Sequence, residues 1–482
     1  MNKALYSTLP LLLILASCGN DPAPKKASDS AVSDTNAVGN KAPTIYLEGI
    51  YATSSAAGKG VENLFDSNPA TIWQTQAGTG PDEGIMLYFQ NALPIATIEI
   101  VAGAGSFAAS PGDSAKPILV YTNGQVAALG KPNEQIQVSQ NGLVKSLFIR
   151  LGNTGKEAVK TLREGVDREF YPDDALISIS ELKMVNDKGI TLLLVPPRGI
   201  KGTVTASSTL APEAAYSAAN LFDSRKEFVW VEGAASSGEE EILNFEFNES
   251  IEITAIQIWN GYQRSEDHFS ANARVRDFDF GVKGSPLTTY TLRDTKAGQK
   301  IELRTPAKGK LFTLKIKSIY PGLKYKDLAI SDIVFFQGNE PFVLRSSLPV
   351  KYQNQLRAKV GNSQIKALLD RRISNRITED IPDGDVFTTN KSLLLRSDGT
   401  FVYYNENFSG GTLDVSTIAD GNWEILSDTQ VKVFGKWTDQ INWPEYYKGT
   451  AQETPTRIFK DVLTIDANQV VGTKMLGTFF LK

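Results

Sequence analysis

One block of sequence occurs twice, and this repeat constrains the fold more than any other feature of the chain. Residues 63–67 read Asn-Leu-Phe-Asp-Ser and lead to Trp73, and residues 220–224 read the same and lead to Trp230. Both the blocks and the tryptophans are 157 positions apart. A repeat of this length with intact internal spacing indicates a duplicated domain rather than a stacked array.

The residues between these landmarks indicate that each copy is a β-sandwich. From Thr44 to Phe336, short β-branched and aromatic runs alternate with Gly, Pro, Asn and Asp. Residues 243–247 alternate apolar and polar, as an antiparallel strand with one solvated face requires. We predict two tandem jelly-roll sandwiches, over residues 43–190 and 199–338. A short helix or turn is expected over Ala211–Asn220.

A third region follows Glu340. Apolar residues recur at helical spacing over Lys351–Arg372, and a β-rich stretch continues to the C-terminus. Asp398-Gly399 between two apolar runs predicts a hairpin, because glycine adopts positive φ there. The pattern resembles a small lipocalin-like antiparallel barrel. The fold class is therefore mainly β, with residues 351–482 forming a helix plus a barrel-like domain.

The N-terminus has the pattern of a lipoprotein signal. Lys3 precedes a short apolar run, and Leu15–Cys18 resembles a bacterial lipobox. We expect residues 1–17 to be a signal peptide, Cys18 to carry acyl chains, and residues 18–42 to be a flexible tether. This places the protein at the bacterial cell envelope, anchored by lipid at the outer membrane or cell surface. The alternative is a buried free cysteine after an ordinary signal peptide.

Composition excludes several classes of function. The formal net charge is −4, and no basic stripe suits the chain to nucleic acid. One histidine and one cysteine cannot build a Cys/His metal site, so no metal or cofactor is expected. His268 could join a Ser-His-Asp triad, but no Gly-x-Ser-x-Gly motif accompanies it. An enzyme would need paired carboxylates, such as Glu232 or Asp327.

Several short motifs in the second copy resemble the NADase-type glycan-binding domain. They are residues 230–233, 259–263, 272–275, 320–322 and 326–332. That family is a discoidin-like, galactose-binding-like jelly roll found beside bacterial NAD-glycohydrolase modules. The resemblance implies carbohydrate binding by the second copy. The first copy keeps the frame but lacks the Asn-Gly-Tyr-Gln and Asn-Ala-Arg-Val elements, so the resemblance does not extend ligand binding to it.

The loop that follows residues 256–258 concentrates the groups that sugars require, namely an aromatic ring, planar amides and guanidinium groups. Loops at one end of a rigid sandwich are common binding sites. Tyr262 is predicted as the stacking surface, and Asn260 and Asn272 as amide partners of hydroxyl groups. Arg264 or Arg274 would bind an acidic or hydroxyl-rich ligand. The full set of predicted ligand-binding residues is Asn260, Tyr262, Arg264, His268, Asn272 and Arg274.

Each prediction has a structural alternative. The three tryptophans of the sandwiches fit core anchors better than stacking platforms. The aspartates of the repeated block fit turn formers better than calcium or ligand contacts. Asn272 and Arg274 could simply brace the loop backbone. His268 is interpreted as an exposed loop residue, with a pH-sensitive contact as the alternative. The three tryptophans are Trp73, Trp230 and Trp259, and the two aspartates are Asp66 and Asp223.

The leading hypothesis is a cell-envelope lipoprotein with a non-catalytic, carbohydrate-binding second sandwich. Its partners would be a glycan or glycoconjugate, and the membrane through the lipid anchor. The alternative is an adhesin or assembly factor that binds an extracellular-matrix or envelope protein. A glycosidase that uses a carboxylate pair is the minor alternative.

Overall fold

The protein is represented by a computed structural model that describes residues 42–76, 83–103, 118–138, 142–151, 177–235, 237–380, 386–409, 412–441, 452–453 and 456–481. The predicted signal peptide, Cys18 and nearly all of the tether lie outside these ranges. Across these residues, no helix has the length and apolar character needed to cross a membrane.

The first sandwich packs a six-stranded sheet, ordered β10-β1-β3-β8-β5-β6, on a four-stranded sheet, ordered β2-β9-β4-β7. Its apolar residues alternate along the strands and face one shared core. A 3-10 helix, Val61–Phe65, precedes β2. The described strands are β1 (Thr44–Ala52), β2 (Trp73–Gln74), β3 (Glu83–Leu93), β4 (Thr97–Ala102), β5 (Ile118–Thr122), β6 (Gln125–Gly130), β7 (Gln135–Gln137), β8 (Val144–Leu151), β9 (Ser178–Val185) and β10 (Leu193–Val195).

The second sandwich uses two long strands that serve both layers. The first half of β13 pairs with β11, and its second half pairs with β17; both halves pair with β16. A 3-10 helix, Ala218–Phe222, precedes β12, and helix α1, Glu266–Ala271, follows β13. The strands are β11 (Arg198–Ala206), β12 (Trp230–Val231), β13 (Ile242–Asn260), β14 (Arg274–Val282), β15 (Thr288–Thr291), β16 (Gln299–Tyr320), β17 (Ala329–Gln337) and β18 (Glu340–Arg345).

The main strand pairings of the two sandwiches correspond, although β17 also pairs with β18 and the long strand β13 takes the places of both β3 and β4. The path β10-β1-β3-β8-β5-β6 matches β18-β11-β13-β16-β14-β15, and β2-β9-β4 matches β12-β17-β13. Trp73 lies opposite Ile179, and Trp230 lies opposite Ile330. Both indole rings are fully buried, and each donates to a backbone carbonyl 3.1 Å away. The predicted pair of β-sandwiches is confirmed, and their matching strand order shows a duplication.

The turn after each 3-10 helix is duplicated as well. Asp66 and Asp223 each accept the backbone N–H two residues ahead, at 2.9 and 2.8 Å. Ser67 and Ser224, which follow them, both take a left-handed conformation, with φ of 58° and 61°. Both aspartates are therefore turn formers, as the structural alternative predicted.

The third region is an antiparallel meander ordered β19-β20-β21-β22-β23-β25-β26-β27, with β24 beside β23. The side-chain amide of Asn375 on β19 donates to the carbonyl of Phe480 on β27 at 3.0 Å, so the first and last strands meet as in a barrel. Asp398-Gly399 forms the predicted hairpin turn, with Gly399 at φ 85°. The strands are β19 (Arg372–Asp380), β20 (Val386–Leu395), β21 (Thr400–Ser409), β22 (Thr412–Ser427), β23 (Gln430–Ile441), β24 (Gln452–Glu453), β25 (Arg457–Ile465), β26 (Gln469–Gly472) and β27 (Thr478–Phe480).

The predicted helix of the third region is shorter and begins earlier than expected. Helix α2 spans Leu348–Val360, and a separate 3-10 helix spans Gln364–Leu368. Gly361 takes φ 48° and its N–H bonds to the carbonyl of Arg357, which ends the α-helix. The prediction of one continuous helix over residues 351–372 was therefore wrong, because Gly361 ends the α-helix.

Candidate functional site

The structure places all six predicted ligand residues at one end of the second sandwich, between the end of β13 and the start of β14, but it buries them. None is more than 8 % exposed, and Asn260 is fully buried. None of the six side chains therefore lies on an open loop surface. Polar atoms removed from water need partners, and those partners explain the position of each side chain.

Asn260, Asn272 and Arg274 hold the backbone of this loop. The amide of Asn260 donates to the carbonyl of Val275 at 2.7 Å and accepts its N–H at 2.9 Å. Asn272 donates to the carbonyl of His268 at 2.8 Å. Arg274 makes a two-pronged ion pair with Asp294, at 2.6 and 2.9 Å. The bracing role that was the alternative for Asn272 and Arg274 is what the geometry shows.

Tyr262 and His268 pack against each other below the loop, with ring centroids 4.7 Å apart. Tyr262 belongs to a small buried cluster with Val229, Val231 and Ala329, so it offers no open stacking surface. His268 is 5 % exposed, and its Nδ1 lies 2.7 Å from the hydroxyl of the N-cap residue of α1. Burial first, then the nearby Arg264, lowers the pKa of His268 to about 3. His268 is therefore a buried neutral imidazole and not the exposed loop residue expected.

Arg264 reaches out of the second sandwich to the third region. Its Nη2 donates to the side chain of Asn422 on β22 at 2.8 Å, and its Nε donates to the carbonyl of Glu227 at 3.0 Å. The Tyr216 ring of the second sandwich also lies beside Phe434 of β23, with centroids 6.3 Å apart. The loop end that was expected to meet a ligand therefore meets the third region.

The same end of the second sandwich also docks on the first. The ammonium of Lys226 lies 3.5 Å from the ring centroid of Tyr88 on β3 and 3.9 Å from that of Trp259. The carboxylate of Glu48 on β1 is 3.7 Å from this ammonium and accepts from the amide of Gln257 at 2.9 Å. Burial lowers the pKa of Lys226 to about 8, although Glu48 acts in the opposite direction. We name this group the Lys226 clamp.

What remains exposed at this end is the segment of residues 321–327, which we name the Tyr325 loop. Among the described residues of the second sandwich, Tyr325 is the one exposed aromatic side chain, at 37 %. Leu323 beside it is 87 % exposed. The Lys324 ammonium lies 5.1 Å from the ring centroid of Tyr325. The side chains of Lys326 and Asp327 make no hydrogen bond or ion pair with any residue that the structure describes.

The Tyr325 loop rests on α1 through its backbone. The N–H groups of Leu323 and Tyr325 donate to the carbonyls of Ser270 and Ala271, at 2.9 and 2.8 Å. A Cβ on Gly322 would lie 2.5 Å from the carbonyl oxygen of Ala271, so this approach requires glycine. The buried residues under α1 thus position an exposed loop that carries an aromatic ring, two ammonium groups and a carboxylate.

Residues 197–336 match the family model of the NAD glycohydrolase translocation F5/8 type C domain. The match covers the second sandwich and less than a third of the chain. No curated protein matches the sequence.

Solved structures resemble this chain only distantly. The CBM32-1 and CBM32-2 domains of Clostridium perfringens ZmpB are 12 % identical, with 60 % of this chain and 92 % of that chain covered and a TM-score of 0.22. A family 32 CBM of C. perfringens NanJ in complex with galactose is 10 % identical, with 28 % and 93 % covered and a TM-score of 0.22. Arabinofuranosyltransferase AftD from Mycobacteria is 12 % identical, with 89 % and 36 % covered and a TM-score of 0.26. Scores this low do not establish a shared arrangement.

Sequence reasoning missed Tyr325, although it lies within the matched range and between two of the short motifs that carried the resemblance, residues 320–322 and 326–332. A tyrosine between two lysines after a Pro-Gly turn was the available signal, because such a segment has no apolar period that would bury it.

The carboxylates considered for a glycosidase are placed differently from each other. Glu232 is fully buried and accepts the N–H groups of Ala234 and Leu328, at 2.6 and 3.4 Å. Burial raises its pKa. Asp327 is half-buried at the edge of the Tyr325 loop. Both carboxylate oxygens of Glu232 are thus hydrogen-bonded to backbone N–H groups of the second sandwich.

Proposed function

We propose that the F5/8 type C domain is a carbohydrate-binding module without chemistry of its own, and that the Tyr325 loop is its contact surface. The observation that carries the proposal is the exposure of one tyrosine, among unpaired charged groups, at the loop end of this domain. The match to the F5/8 type C family supports it.

The chemistry of the loop suits a sugar. A pyranose presents a C–H face that packs on an aromatic ring, and hydroxyl groups that need donors and acceptors. Tyr325 would supply the ring, Asp327 would accept hydroxyl hydrogens, and Lys326 would donate. Because the surface is open, we expect a dissociation constant in the micromolar-to-millimolar range.

The six residues predicted from the sequence take a different part in this proposal. Direct contact of these six residues with a ligand stays a prediction. Because their side chains are buried, their contribution to binding in this arrangement would be indirect, through support of the Tyr325 loop. Asn272 bonds to the carbonyl of His268 at the centre of α1, and α1 carries the Tyr325 loop. We propose them as positioning residues.

We further propose that the protein is held at the cell envelope by lipid on Cys18. The lipobox pattern and the polar residues 19–41 support this. Two or three acyl chains would give stable anchoring, since a single chain binds a membrane only marginally.

A protein partner is the second candidate, and Leu323 is the observation that favours it. Sugar hydroxyls make no use of an aliphatic side chain that is 87 % exposed, whereas protein interfaces bury such groups. The two lysines that flank Tyr325 would then favour an acidic partner surface.

The test is a glycan array followed by calorimetric titration of the best ligand. Tyr325→Ala should weaken binding by about five- to thirtyfold, the equivalent of about 1–2 kcal/mol for a lost stacking contact. Tyr325→Phe should retain most of the affinity. Phe480→Ala is the matched control, because Phe480 is an exposed aromatic of the third region, at 52 %.

Two results would contradict the proposal. Glycan binding that is unchanged in Tyr325→Ala would move the site elsewhere. No glycan binding, together with a protein ligand lost in Leu323→Ala, would favour the second candidate.

A further inference from the structure

The segment from the end of β18 to the start of β19 concentrates basic side chains in an otherwise acidic chain. Residues 345–372 contain seven basic residues and one acidic residue, which gives +6, whereas the whole chain has a formal net charge of −4. Six of the seven basic side chains are exposed, and we name these six the basic face. They are Arg345, Lys351, Arg357, Lys359, Lys366 and Arg371.

The exposed surface of this segment contains no acidic side chain. Asp370 is its one carboxylate; it is 27 % exposed and lies 3.5 Å from the guanidinium of Arg357. The other five members of the basic face form no ion pair with any residue that the structure describes. Their charges are therefore available to a partner outside the chain.

Two acidic side chains of neighbouring elements lie at the margin of α2. Glu213 accepts from the hydroxyl of Tyr352 at 2.8 Å, and Asp398 lies 3.9 Å from the guanidinium of Arg225. When these two carboxylates and Asp370 are counted against the six cations of the basic face, the local charge is still +3. The surface is thus positive with its neighbours included.

Helix α2 spreads these charges over a surface. Lys351, Gln355 and Lys359 are exposed and recur every four residues, so they lie along one side of the helix. At a rise of 1.5 Å per residue, the Cα atoms of Lys351 and Lys359 are about 12 Å apart. Basic side chains distributed in this way suit an extended surface of anionic groups better than one small anion.

An aliphatic side chain lies beside these charges. Val350, in the first turn of α2 and next to Lys351, is 58 % exposed, and Pro349 before it is exposed as well. A membrane interface receives ammonium groups at its headgroups and aliphatic groups at the acyl boundary. A phosphate backbone alone would make no use of the valine. The combination favours a lipid surface over a nucleic acid.

We propose that the basic face binds the anionic lipid headgroups of the membrane that holds the protein. The proposal rests on the lipid anchor proposed at Cys18, because the predicted tether of about 24 residues would span roughly 25–30 Å and keep the body near the headgroups. Such tethering raises the local concentration to about the millimolar range, so a weak contact suffices. Contact through α2 would fix the orientation of the body on the membrane.

The test uses the chain from residue 18 onward with Cys18→Ser, so that no acyl chain contributes. Its cosedimentation is measured with vesicles of phosphatidylcholine alone and with vesicles of equal parts phosphatidylcholine and phosphatidylglycerol. We expect binding only to the vesicles that contain the anionic lipid. Raising the salt concentration from about 0.1 M to about 1 M shortens the screening length from about 10 Å to about 3 Å and should abolish this binding.

The combined changes Lys351→Gln, Lys359→Gln and Lys366→Gln should weaken binding to the anionic vesicles about a hundredfold, because each basic residue near such a surface contributes about fivefold. Glutamine and lysine have similar helix propensities, so the variant should keep its fold. If it does not fold, Lys359→Gln alone, with an expected loss of about fivefold, replaces it.

The matched control removes three exposed lysines from the second sandwich by Lys283→Gln, Lys308→Gln and Lys310→Gln. It changes the net charge by the same amount and should retain vesicle binding within about threefold, because charges more than a screening length from the lipid contribute little.

No binding to the anionic vesicles at the lower salt concentration, or equal loss in the two triple variants, would overturn the proposal. Binding to heparin without binding to the vesicles would overturn it as well, because the partner would then be a soluble polyanion. The tested protein has no acyl chain, so its failure to bind would leave the Cys18 anchor to be tested separately by phase partition. Tyr325→Ala should leave vesicle binding unchanged, which separates this surface from the glycan site.

Discussion

The sharpest contrast in the structure is between two tyrosines of the same sandwich, Tyr262 and Tyr325. Tyr262 is 5 % exposed and packs on Val229, Val231 and Ala329. Burial of an aromatic side chain removes about 150–250 Å² from water, which contributes about 4–6 kcal/mol at about 25 cal/mol per Å². Its cluster lies at the end of the sandwich and can partly collapse, so we expect Tyr262→Ala to cost about 3–4 kcal/mol.

Tyr325→Ala is the companion variant. An exposed side chain away from the core should change the free energy of unfolding by less than about 0.5 kcal/mol. Urea denaturation followed by circular dichroism, with calorimetry beside it, measures both variants. For a module of this size, the loss in Tyr262→Ala corresponds to a fall in Tm of about 10 °C. Equal free energies of unfolding for the two variants would refute the burial of the loop between β13 and β14. They would also refute the positioning role of the six predicted residues.

Three further predictions concern groups whose charge or attachment the structure or sequence specifies. His268 has a pKa of about 3 in the folded protein and near its usual 6.5 in the unfolded protein. The unfolded state therefore binds the proton first, and stability falls as the pH drops from about 6.5 toward 3. The urea midpoints at pH 7.5 and pH 5 should differ less in His268→Gln than in the parent protein. In the Lys226 clamp, Glu48→Gln should cost about 3 kcal/mol by leaving a buried ammonium without its carboxylate, and the double change Glu48→Gln with Lys226→Met should recover most of that loss in a calorimetric double-mutant cycle. Cys18→Ala should move the protein from the detergent phase to the aqueous phase on partition, and continued partition with detergent would exclude the lipid anchor.

The duplicated frame could be predicted because its signals are local. The spacing of Trp73 and Trp230 fixes a core position, and Asp66 and Asp223 fix the turn before it, whatever surrounds the module. Core volumes tolerate little change, so such spacing persists in both copies. The hairpin at Asp398 was predictable for the same reason, because its turn chemistry involves only neighbouring residues.

The burial of the predicted ligand loop could not be read from the sequence. Asn260 and Arg264 have the side chains that sugars need, but what they contact depends on residues 15 and 158 positions away, Val275 and Asn422. Strand register likewise brings together polar residues of the third region that are far apart in the sequence, such as Lys391, Asn405 and Thr417 on neighbouring strands. A polar residue in the sequence indicates only that its side chain needs a hydrogen-bond partner. Which partner it has depends on how the modules pack against each other.

The Lys226 clamp has a consequence for how many copies of this module could stack. The contact is heterologous: the loop end of the second copy meets an outer sheet face of the first, and such contacts can in principle repeat into an open array. The receiving face is Tyr88, together with Tyr51, whose ring lies 5.7 Å from the guanidinium of Arg225.

The second copy does not reproduce that receiving face. With the Ile50–Leu87 pair of the first copy aligned on the Val204–Phe245 pair of the second, Tyr88 corresponds to Glu246 and Tyr51 to Thr205. Both replacements are exposed and neither carries an aromatic ring. In a third identical module, the counterpart of Lys226 would therefore contact no aromatic ring on the second copy. The strand positions that join the first two copies thus limit this kind of contact to two copies.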